Sequence, residues 1–196
     1  MARLRLDRVL VVDIEATCWD GPTPEGMESE IIEIGLCELD IATGERPVRR
    51  SLMVRPERST VSRFCTELTT ITPEQAAAGI GFAEACEILR DEHGAGHRVW
   101  AGWGEYDRAQ FTRQGVPPRR SSGGARPSTY PFGTRHLNVK NLYSLMHSLD
   151  RELGMAGALE HAGLPMEGTH HRGVDDAWNI AGLLAGLLGR GAVHSL

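Results

Sequence analysis

Asp13 and Glu15 stand two residues apart in VVDIEAT, at the end of an apolar run that begins at Val9. In a strand, residues i and i+2 share a face. The two carboxylates therefore point the same way while Ile14 turns into the core. Adjacent acids disfavour each other's ionisation, and partial burial adds to the effect; a cation between them relieves it. The pair reads either as half of a divalent-metal site or as two solvated acids at a strand end.

Two other places in the chain bear on that choice. Asp107 lies in WGEYDRAQF, at an expected strand-to-helix junction, and Asp175 and Asp176 open the last expected helix just after His170 and His171. If these places converge, carboxylates and one imidazole meet without thiolates. Such donors suit hard cations, so Mg²⁺ or Mn²⁺ is expected over zinc. A cluster of acids of this size is prohibitive without about two divalent ions. Two ions roughly 3.5–4 Å apart serve in-line phosphoryl displacement, one activating water and the other stabilising the leaving oxygen. A histidine on the loop before the metal-binding helix is placed to take the proton of the attacking water.

The elements that must position these groups are legible in outline. Val9–Val12 form a buried strand, residues 18–30 a loop, 31–40 a second strand, ATGE a turn at Gly44, and 47–56 a third strand stopped by Pro56. Short turns make these an antiparallel meander. Thr72, Pro73 and Gln75 predict a capping box opening a short helix that Gly79 ends. Phe82, Ala85, Cys86 and Leu89 give residues 82–92 an apolar helical face. A strand over 97–104 and a helix over 105–115 follow. Residues 117–133 have the composition of a flexible loop. Within it Arg119, Arg120 and Arg126 read as solvated or as phosphate contacts. A short strand at 137–139, two helices, the loop EGTHHRG and a helix over 174–188 complete the chain; Ala177, Ala181, Leu184 and Leu188 share that last helix's apolar face. The expected fold class is α/β: a central mixed sheet of five strands, the meander plus parallel strands, flanked by helices.

With 196 residues, 41% hydrophobic and 24% charged, the chain suits one domain, 1–196, with its core over about 8–190. The net charge of −5 counts mildly against binding of nucleic acid by bulk positive charge and leaves open an enzyme whose acids are neutralised by metal ions. Cys18, Cys37, Cys65 and Cys86 form no CxxC pair and read as reduced thiols of a cytoplasmic protein. The N-terminus lacks the apolar run of a signal peptide. The apolar stretch Ile180–Leu188 is too short for a membrane span.

Together, VVDIEAT, WGEYD and HHRGVDDAWN resemble the three motifs of the DEDD exonuclease superfamily, in its DEDDh (DnaQ-like) branch. DIEATCW, EIIEIG, FCTELTTIT, LNVKNLY and HHRGVDDAWNIA narrow the resemblance to the Eri-1-like 3′–5′ exonucleases and their bacterial sporulation-inhibitor relatives. The resemblance implies a ribonuclease H-like fold. It makes Asp13, Glu15, Asp107 and Asp176 ligands of two Mg²⁺ or Mn²⁺ ions and His171 the general base. The motif's His-to-Asp spacing selects His171 with Asp176; the register His170 with Asp175 keeps the same spacing but aligns less well.

Substrate contacts are expected at several further positions. The backbone amides of Ala16 and Thr17 could hold the terminal nucleotide. Glu33 could hydrogen-bond a terminal 3′-hydroxyl, could hydrogen-bond a group that supports the metal ligands, or could simply face solvent. Trp19 and Phe64 could stack on bases, although Phe64 also reads as core. Leu68 and Thr69 complete the set, and Lys140 reads as a phosphate contact or a helix-start cation. Trp103 reads as packing. Some Eri-1-like proteins carry a nucleic-acid-binding module ahead of the nuclease, and this chain starts about seven residues before its first expected strand. Short single-stranded 3′ ends are therefore the expected partners, with RNA favoured and nucleoside 5′-monophosphates as products. A DNA-directed proofreading or repair exonuclease and a catalytically silent binding module are the competing readings.

Overall fold

A computed structural model of the chain describes residues 4–115 and 128–189. β1 (Arg5–Ala16), β2 (Ile31–Asp40) and β3 (Val48–Met53) form the antiparallel meander. β4 (Arg98–Gly102) and β5 (His136–Asn138) extend it as parallel strands, giving the order β3-β2-β1-β4-β5. The expected mixed five-stranded sheet is present, and the fold is ribonuclease H-like.

β1 is buried on both faces, with Leu10, Val11 and Val12 fully enclosed. Each such side chain contributes about 1.5–3 kcal/mol. Alternation along β1 separates two cores. Leu10, Val12 and Ile14 face Trp100, Phe111 and α3 (Phe82–Asp91). Val9 and Val11 face α5 (Val139–Met146), α6 (Met155–His161) and α7 (Gly173–Leu187). Asp13 and Glu15 continue the second row, so they emerge where α7 begins.

The capping box is present at α2 (Pro73–Ala77): Thr72 Oγ1 accepts from the Gln75 amide at 3.2 Å and Gln75 Oε1 accepts from the Thr72 amide at 2.9 Å. Phe82, Ala85, Cys86 and Leu89 are all buried. A helix not expected from the sequence, α1 (Arg63–Thr69), precedes α2. Its cap, Ser62, accepts from the Cys65 amide and lacks the reciprocal Glu or Gln that marks a capping box. Leu188 lies just past α7 and is exposed, unlike Ala177, Ala181 and Leu184.

Residues 117–127 of the expected loop, with Arg119, Arg120 and Arg126, lie outside the described residues. The rest of that stretch packs. Phe132 is buried and stacks on Trp100 at 4.1 Å, and the Thr129 amide donates to Gly115 O at 2.9 Å. Two aromatics, Tyr130 and Phe132, outweigh the polar composition there. Among the described residues no helix is long and apolar enough to cross a membrane.

Candidate active site

β1 delivers the first two acids to the carboxyl end of the parallel strands, the edge where open α/β sheets place their sites. Oxygens of Asp13, Glu15 and Asp176 lie within 4.8 Å of one another. Asp176 reaches them from the first turn of α7, because that helix starts against the backbone of β1 and β2. Two glycines permit the approach. A Cβ on Gly35 would lie 1.9 Å from Gly173 C, and one on Gly173 would lie 2.9 Å from Asp13 O. Gly35 pairs with Asp13 in the sheet, so the missing side chain is directly across from the first acid.

Asp107 enters from the other face, in the first turn of α4 (Tyr106–Gly115). Its Oδ1 accepts from the Ile14 amide at 3.2 Å, which wedges the carboxylate between Asp13 and Glu15 along the chain. Gly102 makes room for it, since a Cβ there would stand 2.9 Å from Asp107 Oδ2.

Electrostatics mark the cluster as unfavourable without a counter-charge. Burial, then Asp107, Asp176, Glu15 and Glu33, hold the Asp13 carboxyl well above the usual range. Glu15 is pushed up to about 9 by burial first and by Asp176 and Glu33 next. Asp107 rises to about 7, chiefly from burial, although the Ile14 amide opposes the shift. Asp176 is raised by burial and partly relieved by His170. Carboxylates that resist ionisation together, with only oxygen and imidazole donors around them, fit a hard divalent cation.

The histidines sit on the turn just before α7. His171 adopts a left-handed backbone, φ 63°, unusual for a residue with a side chain. Its amide donates to Asp176 Oδ2 at 3.0 Å. His170 Nδ1 lies 3.2 Å from the same oxygen, and the two rings stack at 3.9 Å. Burial and the neighbouring His170 lower the pKa of His171. His170 does not meet Asp175. The Asp175 carboxylate instead pairs with Arg49 and accepts from the Thr169 amide, on the far side of the helix start.

The expected substrate contacts are spread unevenly. Trp19 is half-buried, Phe64 is 38% and Leu68 37% exposed, and the latter two lie on α1. Phe64 is thus no core residue. Ala16 is buried at the bulge where β1 leaves β2. Thr17 does not offer the free amide expected of it: its N–H donates to Glu30 O at 2.8 Å and its hydroxyl is engaged with the 28–30 backbone. The Thr69 side chain is buried and its hydroxyl donates to Cys65 O, so it closes the end of α1 rather than facing a ligand. Lys140 pairs with Glu152 at 2.8 Å, in the first turn of α5. Trp103 packs, and its indole N–H donates to Leu153 O. Glu33 is fully enclosed and accepts from Ser51, Arg172 and the Gly173 amide; of its expected roles it takes the supporting one and faces neither solvent nor an open 3′-hydroxyl site. Arg172 and Gly35 escaped the sequence reading. A glycine inside a strand, opposite an acid, was the available signal of close backbone approach.

A ribonuclease H-like sheet with acids gathered at this edge belongs to the nucleases. A family model described as Exonuclease (RNase_T) matches residues 10–184, and the chain belongs to that family, whose members depend on divalent metal. It is 28% identical over 213 residues to the 3′-5′ exonuclease Snipper of Drosophila melanogaster, covering 96% of this chain and 72% of the relative. It is 29% identical over 190 residues to 3′-5′ exoribonuclease 1 of Homo sapiens, covering 93% of this chain and 52% of the relative. The chain thus spans about half the length of the human protein. The solved nuclease domain of 3′hExo, a DEDDh family member bound to rAMP, aligns with TM-score 0.75 at 25% identity, over 97% of this chain and 96% of that one.

Proposed function

We propose that this chain is a 3′–5′ exonuclease, a single catalytic domain that removes nucleoside 5′-monophosphates from single-stranded RNA or short oligonucleotides. The observation that carries the reading is the convergence of Asp13, Glu15 and Asp176 within 4.8 Å, with Asp107 held against the Ile14 amide at 3.2 Å. Relatives named as exoribonucleases support RNA over DNA.

Asp13, Glu15, Asp107 and Asp176 would hold two Mg²⁺ or Mn²⁺ ions. Bound there, the ions supply charge neutralisation at the scissile phosphate and acidify the attacking water. The protein's own part is positioning and proton transfer. His171 is held beside Asp176 by its own amide. Burial and the neighbouring His170 lower its pKa, which favours the neutral ring that can accept the water's proton. His170 braces that ring by stacking. Phe64 and Leu68 form an exposed apolar shelf on α1, and Trp19 lies just after the metal-site strand; these are the surfaces for terminal bases. Four free cysteines, three of them buried, suit a reducing, cytoplasmic setting.

The test is a 5′-labelled single-stranded RNA and its DNA counterpart, each with a free or blocked 3′ end, incubated with Mn²⁺, Mg²⁺ or EDTA. A ladder shortening from the 3′ end, faster on RNA and absent with EDTA, is expected. Cleavage indifferent to a 3′ block refutes the polarity, and faster DNA cleavage refutes the RNA preference.

A further inference from the structure

Glu33 is the most enclosed acid near the site, at 0% exposure. A buried carboxylate persists only when donors replace its water. Glu33 has four: Ser51 Oγ at 2.6 Å, Arg172 Nε at 3.1 Å, Arg172 Nη2 at 3.2 Å and the Gly173 amide at 3.0 Å. The guanidinium engages both carboxylate oxygens, the fork geometry that only arginine provides. Three elements meet there: Glu33 is on β2, Ser51 on β3, and Arg172 with Gly173 at the start of α7.

The place along the chain gives the contact its meaning. Arg172 follows His171, whose left-handed φ of 63° is unfavourable for a non-glycine residue. It precedes Gly173, whose backbone touches Asp13 and Gly35. Backbone strain persists only where the surroundings over-determine it, and two consecutive residues fixed on Glu33 do that. Glu33 also pairs with Glu15 across the sheet, so the clamp lies directly beside the metal-site strand.

Resting on the exonuclease reading, we propose that Glu33 and Arg172 form a positioning clamp: anchored by Ser51, it fixes the His171 turn and the start of α7, and so presents His171 and Asp176 to the metal-binding acids. Arg172 is a positioning residue here and makes no substrate contact. Partners that orient metal ligands typically change metal affinity or activity by about 10–100-fold when removed.

The experiment compares wild-type protein with Glu33→Gln, Arg172→Met, Arg172→Lys and the double variant Glu33→Gln/Arg172→Met. Mn²⁺ affinity is measured by calorimetry without substrate, amide exchange is followed at Gly173, and kcat and KM are measured on a 5′-labelled oligonucleotide. Arg172→Met should weaken Mn²⁺ binding and kcat by about 10–100-fold with KM little changed, and should expose the Gly173 amide to exchange. The double variant should be milder than Arg172→Met, because it no longer buries an uncompensated charge. Arg172→Lys, which keeps the charge and loses the fork, should fall between Arg172→Met and wild type. Should Arg172→Met fail to fold, Glu33→Gln and Arg172→Lys carry the same comparison. A raised KM with kcat and Mn²⁺ affinity unchanged would make Arg172 a substrate contact and overturn the clamp. Unchanged exchange at Gly173 in Glu33→Gln would also overturn it. Failure of the wild-type protein to cleave any oligonucleotide would refute the exonuclease reading alone, since Mn²⁺ affinity and amide exchange judge the clamp without catalysis.

Discussion

Gly35→Ala tests whether the site depends on the contact between the β2 and α7 backbones. The added Cβ would lie 1.9 Å from both C and O of Gly173 and 2.2 Å from the Val174 amide nitrogen. These are backbone atoms at a helix start and have no rotamer to change. Carbon atoms rest about 3.5–4 Å apart, so the two backbones must separate by roughly 1.6–2 Å. Overpacking on this scale costs about 1–3 kcal/mol, occasionally more, which for a chain of this size lowers Tm by roughly 2–12 °C. The larger effect falls on function. Asp176 follows Gly173 by less than one helical turn, so it must move with it, and a misplacement of about 1 Å costs on the order of 10²-fold. Single-turnover cleavage of a 5′-labelled RNA in Mn²⁺ measures the loss, and a thermal melt measures the stability. Gly186→Ala is the control: nothing lies within 4 Å of its Cβ, and it sits inside α7. It should keep full activity and gain up to about 1 kcal/mol of stability from helix propensity. A Gly35→Ala protein with wild-type turnover and melting temperature would show that the backbone contact does not set the site.

His171→Ala should reduce turnover by roughly 10²–10⁴-fold, as expected for loss of a general base, with Mn²⁺ affinity largely kept; a greater loss in His170→Ala would reassign the base to His170. Because burial and His170 lower the His171 pKa below its ordinary 6.5, the acid limb of kcat against pH should fall below that value, and a limb above it refutes His171 as the base. Asp13→Ala should abolish Mn²⁺-supported cleavage while circular dichroism stays native, and retained activity would remove Asp13 from the metal site. Burial raises Glu15 to about 9 and Asp107 to about 7, so both bind protons more tightly folded than unfolded. Their help to the fold is complete below about pH 4 and is lost as pH rises through 7 and then 9. Chelator-treated protein should therefore melt at lower temperature from about pH 5 to 9, Mn²⁺ should reverse the loss at pH 8, and a flat chelated profile would refute the crowding of acids.

What could be read from the sequence divides along a physical line. The common face of Asp13 and Glu15 follows from strand alternation within three residues, and the capping box at Thr72 from four consecutive residues, so both were legible locally. The convergence of Asp107 and Asp176 on β1 is not local; it was reached because spacing and motif resemblance stood in for distance. Thr17 and Thr69 depart from expectation, and Glu33 takes the supporting role among those open to it, for a shared reason. Each is a polar residue beside the site, and sequence cannot show that its hydrogen-bonding capacity is already filled. The Thr17 amide goes to Glu30 O, the Thr69 hydroxyl to Cys65 O, and the Glu33 carboxylate takes the Arg172 fork. The core reading of Phe64 fails for another reason: α1, which carries its side chain outward at 38% exposure, was not expected. A polar group close to an active site is available to substrate only after the backbone's own requirements are met. In this fold the most demanding of those requirements lie at the start of α7, where a buried acid, an arginine and two glycines replace the solvent that the His171 turn would otherwise need.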